Sequence, residues 1–342
     1  VVVERGPVGG GATAAAMGHA VLMSDSPAQF ALTLRSQQLW AALRPSLPQA
    51  AEYRQTGTLW IAADNRELDE VERKHAFYAE AGVPSRVLGT SELAAAEPNL
   101  RAALAGALEV PGDSVVAPTV VAAWLLDQAC ALGATVVRGE VVSACDGAVR
   151  LRDGRVIEGR VIVLATGADA ATLVPGLPLR RRKGHLLLTS AYPGYVRRQV
   201  VELGYLHSAH GDEADSVAFN VQPRANGQLL VGSSRQYVED EGVDPRVLET
   251  MLARATEYLP ALGSLTIERS WAGFRGATPD HLPLIGPAAG LYLATGHEGL
   301  GITTSLATAE LLVDWLLGRV GALAPEPYLP GRFGVLAGRV LQ

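Results

Sequence analysis

Four short stretches carry residue types that could do chemistry. The first is Ser270-Trp271-Ala272-Gly273-Phe274-Arg275-Gly276-Ala277-Thr278-Pro279-Asp280-His281-Leu282-Pro283-Leu284-Ile285-Gly286. Arg275 lies there among aromatic and small residues, where a guanidinium needs an anionic partner. Its planar fork suits a carboxylate in two-point contact. The anion is either a bound acid or an internal side chain, for instance Asp280. The second stretch is Ala294-Thr295-Gly296-His297-Glu298-Gly299-Leu300-Gly301-Ile302-Thr303, ahead of a run with apolar Leu306, Ala309, Val313 and Leu316. A plain tight turn needs one glycine, and this strand-to-helix junction has three. The positive end of a helix dipole favours negative charge there, and the electron-rich N1–C2=O edge of a reduced flavin is a load of that kind.

The third stretch is Val1-Val2-Val3-Glu4, with an acid at a strand end where dinucleotide folds bind ribose hydroxyls. A surface glutamate is the alternative reading. The usual companion, a G-x-G-x-x-G turn on a preceding strand, is not in the sequence. Gly9-Gly10-Gly11-Ala12-Thr13 follows the acidic strand and does not replace it. The fourth is Val163-Leu164-Ala165-Thr166-Gly167-Ala168, small residues after an apolar strand that admit either a flat ligand or an ordinary loop.

Alternating strands and helices must position these stretches. Helical periodicity is expected over 27–44, 65–81 (closed by Gly82), 119–132 (opened by Pro118, stopped by Gly133), 244–259 and 302–317. Strands are expected over 1–3, 57–62, 106–110, 134–137 and 291–294, with a meander at 148–157 turning on Asp153-Gly154. The run 161–167 reads as a strand buried on both faces of a parallel sheet. Residues 184–235 are richer in strand-type runs. The pattern implies an α/β core with a second domain inserted in pieces.

With 342 residues, 48% hydrophobic and 19% charged, the chain has material for two domains and is not a disordered protein. Its 29 Lys and Arg against 35 Asp and Glu, net −6, argue against nucleic acid as the main partner. Cys130 and Cys145 fit no metal or disulfide framework, so no metal is expected and a reduced, cytosolic setting is the simple reading. No apolar run approaches the ~18 residues of a membrane span, and the N-terminus carries no signal-peptide pattern. A segment ahead of Val1 is expected, because the chain opens inside an apolar strand.

Taken in order, the motifs resemble the flavin-dependent D-amino-acid oxidase superfamily, in its glycine oxidase, sarcosine oxidase and D-amino-acid dehydrogenase branch. They are V-V-E-R-G at 2–6, G-G-A-T at 10–13, A-P-T-V-V at 117–121, V-L-A-T-G-A at 163–168, W-A-G-F-R-G-A-T-P-D-H-L-P-L-I-G at 271–286, G-H-E-G-L-G-I-T at 296–303 and the tail Pro330-Gly331-Arg332-Phe333. The G-H-E-G-L-G form is similar to multi-subunit dehydrogenases, including those acting on D-hydroxyproline.

The resemblance implies a Rossmann-like FAD-binding domain from 1–50, 112–180 and 270–342, and an inserted antiparallel-sheet α+β substrate domain from 51–111 and 181–269. It implies non-covalent FAD, since no cysteine lies near 13–19 or 296–303. Glu4 and Arg5 would serve the ribose end, and Gly11, Ala12 and Thr13 the pyrophosphate. Met17, Gly18 and His19 would face the isoalloxazine. Val141 or Val142, with Ala165 and Gly167, would meet the adenine end, and Gly296, Gly299, Leu300, Gly301, Ile302 and Thr303 the flavin N1–O2 edge. Arg275 matches the arginine that binds the substrate carboxylate. Asn220 falls where relatives place a substrate-facing tyrosine, a departure that bears on which substrate is taken.

The implied reaction is oxidation of a D-, achiral or cyclic secondary amino acid to an imine by hydride transfer to flavin N5. His19 is the titratable group nearest the chemistry; for it and for His297 a structural role is the simpler reading. The competing classes are a nicotinamide-dependent dehydrogenase, a flavin-bearing electron-relay subunit and a scaffold that binds no cofactor. Oxygen, a quinone and a partner subunit all stay open as electron acceptor, the last two compatible with peripheral membrane association.

Overall fold

In the computed structural model, which describes residues 1–204 and 215–334, the largest element is an eight-stranded sheet. Its order is Ile267–Ala277, Arg180–Thr189, Leu229–Gln236, Asp215–Pro223, Gln199–Glu202, Thr58–Ala62, Gly106–Val110 and Arg86–Gly89. All neighbours are antiparallel except Gln199–Glu202 against Thr58–Ala62. Strand side chains alternate between faces, and both faces of Thr58–Ala62 are buried. Leu59 and Ile61 join a core with Phe219, Val221, Val231 and, from the helix Pro245–Tyr258, Met251, Ala255 and Tyr258. Trp60 and Ala62 join Val21, Leu22, Met23, Tyr78 and Leu108 on the other side.

The second part is Rossmann-like. Val2–Glu4 runs parallel to Val136–Arg138, and Val163–Leu164 parallel to Leu291–Thr295, which turns back on Leu284–Ala288. The meander Val141–Cys145, Ala148–Leu151 and Val156–Glu158 lies beside them in sequence. Helices Pro27–Leu43 and Gly301–Leu316 pack together through Leu32, Ala307 and Leu311 and are bridged by a two-point Arg35–Glu310 pair at 2.5 and 2.7 Å. The first begins where Ser26 Oγ accepts from Gln29 N, with Pro27 at its first position. Among the described residues, no helix is long and apolar enough to cross a membrane.

The five expected helices appear as Pro27–Leu43, Asn65–Glu80, Pro118–Ala131, Pro245–Tyr258 and Gly301–Leu316. The run 161–167 differs from expectation. Only Val163–Leu164 is strand, a 3-10 turn takes over at Gly167–Asp169, and Val161 and Val163 are 46% and 40% exposed. Among the described residues this strand pairs on one side only, with Leu291–Thr295, so its apolar run is not enclosed by them. Val1 and Val2 are exposed in the same way, the strand Val2–Glu4 pairing, among the described residues, with Val136–Arg138 alone. The domain division expected at 269/270 falls inside the continuous strand Ile267–Ala277.

A buried carboxyl joins the two parts. Asp113, fully inaccessible, accepts from Leu22 N at 2.9 Å and Gln37 Nε2 at 3.0 Å. Burial pushes its pKa up to about 7, against those hydrogen bonds. A folded value above the unfolded one means that stability is complete at low pH and is lost as pH rises toward 7. Asp113→Asn should remove that dependence. Urea midpoints of the variant should gain on the wild type between about pH 5 and pH 8, and a constant difference across that range would show that Asp113 does not titrate there.

Candidate active site

Arg275 stands on Ile267–Ala277, with Arg182 as its direct cross-strand partner. Its side chain reaches over the next strand, Arg180–Thr189, at Gly184, and Nη2 donates to Ser234 O at 2.6 Å on the strand beyond. The glycine is what permits the crossing: a Cβ at position 184 would run into Nη2. On its other flank, a Cβ at Gly299 would lie 3.5 Å from Nη1. The internal partner considered above is engaged elsewhere, since Asp280 takes two hydrogen bonds from Arg332, at 2.6 and 2.9 Å.

Gly184→Ala should therefore displace the guanidinium without emptying the core. Carboxylate affinity of the flavin-loaded protein, read from the absorbance shift on titration, should fall by roughly tenfold. Unchanged affinity would mean that this arginine is not the anion anchor.

Arg275 opens on a cleft whose walls include His19, Trp60, Asn220, Arg235, His281, His297, Glu298, Gly299 and Leu300. Asn220 is buried; its Nδ2 donates to Ser233 Oγ at 3.4 Å, and its Oδ1 has no hydrogen-bond partner among the described residues. His19 is held by its backbone, with Thr303 Oγ1 donating to its carbonyl at 3.0 Å. Its ring Nε2 is closed off from solvent without a hydrogen-bond partner among the described residues, and burial lowers its pKa to about 4. His297, similarly lowered to about 4 by burial, is hydrogen-bonded through Nε2 to Thr308 Oγ1 at 3.0 Å. Both imidazoles are neutral at physiological pH.

Below them lies a charged network. Arg182, 1% exposed, donates to Glu298 Oε1 at 2.5 Å, and His281 Nδ1 donates to Oε2 at 2.8 Å. Burial alone would raise the Glu298 pKa. The His281 hydrogen bond and the positive charges of Arg182, His281 and Arg275 outweigh it and hold the carboxyl at about 2. That same hydrogen bond lifts His281 above its ordinary value. His281 and Glu298 both adopt left-handed backbone, at φ 60° and 48°, a strained conformation that tends to persist at functional sites.

The other residues expected to serve a cofactor lie outside this cleft or at its edge. Met17 is buried against Leu186 and Leu230. Gly18, at φ 90°, lies so close to the Val116 carbonyl that no Cβ fits. Gly11 precedes the short helix Ala12–Ala15, which contains Thr13 and is tied to the large sheet by Trp271 Nε1 donating to Ala15 O. Glu4 accepts from Gly6 N at 2.8 Å, and Arg5 pairs with Asp169 at 2.6 Å. Val142, Ala165 and Gly167 are exposed, and the Gly167 carbonyl accepts from Thr295 Oγ1. Gly296 makes the turn at φ 77°. Gly299 and Leu300 line the cleft, while Gly301, Ile302 and Thr303 form the first turn of Gly301–Leu316.

Arg182, Arg235, His281 and Glu298 carried no assignment in the sequence. His281 and Glu298 sit within the two motifs, but nothing in spacing links position 182 to position 298.

The flavin ring of FAD fits what is present. The helix Gly301–Leu316 has neither a side-chain cap nor an acidic residue in its first turn, so its positive end is available to an electron-rich edge. His19 Nε2, enclosed and without a hydrogen-bond partner among the described residues, is a polar atom awaiting one.

Comparison with known proteins agrees. The family described as FAD dependent oxidoreductase (DAO) matches residues 1–315. Hydrogen cyanide synthase subunit HcnC of Pseudomonas aeruginosa is 29% identical over 90% of this chain and 75% of its own length. Glycine oxidase of Geobacillus kaustophilus is 28% identical over 96% of this chain and 89% of its own. Its crystal structure superposes with a TM-score of 0.84 over 96% of this chain and 91% of that one, at 26% identity. Iminodiacetate oxidase of Chelativorans sp. BNC1 gives 0.79 at 25% identity, over 96% and 91%. With the family match spanning residues 1–315, nearly the whole chain, this protein belongs to the DAO family of FAD-dependent oxidoreductases.

Proposed function

We propose that this oxidoreductase acts on an amino acid, oxidising the Cα–N bond of a D-, achiral or cyclic secondary substrate to an imine. The carrying observation is Arg275: a guanidinium oriented by the Ser234 carbonyl, beside the glycine-lined junction and inside the cleft. Glycine oxidase and iminodiacetate oxidase, similar over most of the chain, support an amino-acid substrate.

In this reading Arg275 holds the α-carboxylate by charge-assisted hydrogen bonds and thereby sets the direction of the Cα–H bond. Orientation of this sort contributes several kcal/mol to the barrier reduction. Asn220 Oδ1 accepts from the substrate amine. His19, neutral with a pKa of about 4, is too weak a base for an ammonium and acts as a hydrogen-bonding wall. FAD, when bound, would supply the acceptor for the hydride that leaves Cα. The amine lone pair closes the C=N bond, an N–H proton leaves to solvent, and water hydrolyses the imine to a 2-oxo acid. Glu4 and Arg5 would serve the ribose end, Gly11 to Thr13 the pyrophosphate, and Val142, Ala165 and Gly167 the adenine end.

Mixing the flavin-loaded protein anaerobically with glycine, sarcosine, proline analogues and D-amino acids tests this. One class should bleach the yellow absorbance within seconds. Persistence of the colour with every compound would remove the reading. A second reading, an electron-relay subunit in a larger complex, is favoured by the likeness to a protein named as a synthase subunit. Complex turnover would then be indifferent to loss of Arg275.

A further inference from the structure

We propose that His185, set behind the cleft, is a positioning residue that aims Arg275 through Ser234. The inference rests on Arg275 being the carboxylate anchor of the reading above. Side chains alternate along a strand, so His185 points away from the face on which the guanidinium crosses Gly184. His185 and Ser234 are both fully buried. The backbone ladder between Arg180–Thr189 and Leu229–Gln236 is irregular between Lys183 and Leu187, and side chains make bonds there. His185 N donates to Ser234 Oγ at 3.0 Å, and His185 Nδ1 lies 2.8 Å from the same oxygen. The Ser234 carbonyl accepts from Arg275 Nη2 at 2.6 Å.

The other ring nitrogen fixes where the imidazole carries its hydrogen. His185 Nε2 is met at 3.1 Å by the backbone N–H of Asp244, a group that can only donate. The hydrogen therefore sits on Nδ1 and is donated to Ser234 Oγ. Asp244 is itself tied down as the cap of Pro245–Tyr258, its carboxylate accepting from Arg246 N at 2.9 Å. A chain of direct hydrogen bonds thus runs from a helix cap, through an imidazole and a serine, to the guanidinium.

The charged groups acting on the ring are Lys183 on its own strand, Arg275 on the neighbouring one, and Asp240 and Asp244. Burial is the largest influence; with the repulsion of Lys183 and Arg275 it outweighs the two carboxylates and holds the ring below its ordinary value. A second proton, on Nε2, would set two donors against each other at Asp244 N and break that bond. Positioning should accordingly fail on the acid side.

The test follows the flavin absorbance bands while flavin-loaded protein is titrated with methoxyacetate, a carboxylate with no amine to oxidise, between about pH 5 and pH 8. His185→Leu should weaken binding roughly tenfold at about pH 8. His185→Gln keeps a donor and an acceptor but does not titrate, so it should stay within about threefold of the wild type there. It should also lack the loss of affinity that the wild type shows below pH 6.5. His281 and Asp113 titrate in both proteins, so the difference between the two profiles is what counts. Ser234→Ala, which keeps the carbonyl and removes Oγ, should match His185→Leu, and the double variant should be no weaker than either. If His185→Leu does not hold flavin, Ser234→Ala and the His185→Gln profile decide.

Wild-type affinity in both His185→Leu and Ser234→Ala, or an unchanged acid limb in His185→Gln, overturns the positioning proposal. Loss of binding in Arg275→Met alongside that result would leave the anchor standing alone. Methoxyacetate binding unaltered in Arg275→Met, or no band shift in the wild type, would sink both.

Discussion

Replacing Arg275 with methionine should lower kcat/KM for amino-acid oxidation by about 10²–10⁴-fold. The estimate follows from two charge-assisted hydrogen bonds at roughly 1.5–3 kcal/mol each and a factor of ten per ~1.4 kcal/mol. Arg275→Lys should recover only a fraction, because an ammonium cannot reproduce a two-point fork. The loss should appear in both substrate affinity and the rate of flavin reduction in stopped-flow measurements, since in the proposed reading the same contact binds the acid and aims its Cα–H bond. Flavin content should stay intact. A change of less than about threefold in both constants would place the carboxylate elsewhere.

The second large effect concerns stability. Arg182 is buried to 1% exposure and finds its carboxylate in Glu298; the Tyr237 ring, 5.0 Å from the guanidinium, offers only a cation–π contact. Glu298→Ala leaves that charge uncompensated, a loss of about 3–5 kcal/mol in related buried pairs. Because the folded Glu298 pKa is depressed to about 2, its contribution is complete above the unfolded value of 4.5 and is lost as pH falls toward 2. Urea unfolding should therefore show a wide gap between wild type and variant near about pH 7 that narrows steadily below about pH 4.5. A gap independent of pH would mean that the damage comes from lost packing and not from the ion pair.

Most of the scaffold was legible because its signals are local. Proline at the first helical turn and an apolar face at helical spacing place the helices at Pro118–Ala131 and Pro245–Tyr258 within a residue or two. Enclosure of a strand is not local. Val161-Ile162-Val163-Leu164 has the composition of a doubly covered strand, yet coverage depends on what pairs alongside it. The same limit applies to the cleft. Arg275 stood out because its neighbours in sequence are apolar. Arg182 sits in Arg180-Arg181-Arg182-Lys183, which reads as a solvated charge run. The structure puts Arg182 and Lys183 inside, at 1% exposure, while Arg180 is exposed. That contrast arises because a ten-residue strand paired on both sides carries its charges past Glu298 and Asp240.

The clamp that Arg332 places on residues 280–283 reaches further than its own surface. One guanidinium binds the Asp280 carboxylate and the carbonyls of Leu282 and Pro283, bracketing His281 from behind. The shape of this cleft wall is thus inherited from a segment about 50 residues downstream, so trimming or crowding the turn at Pro330–Phe333 would be felt inside the cleft.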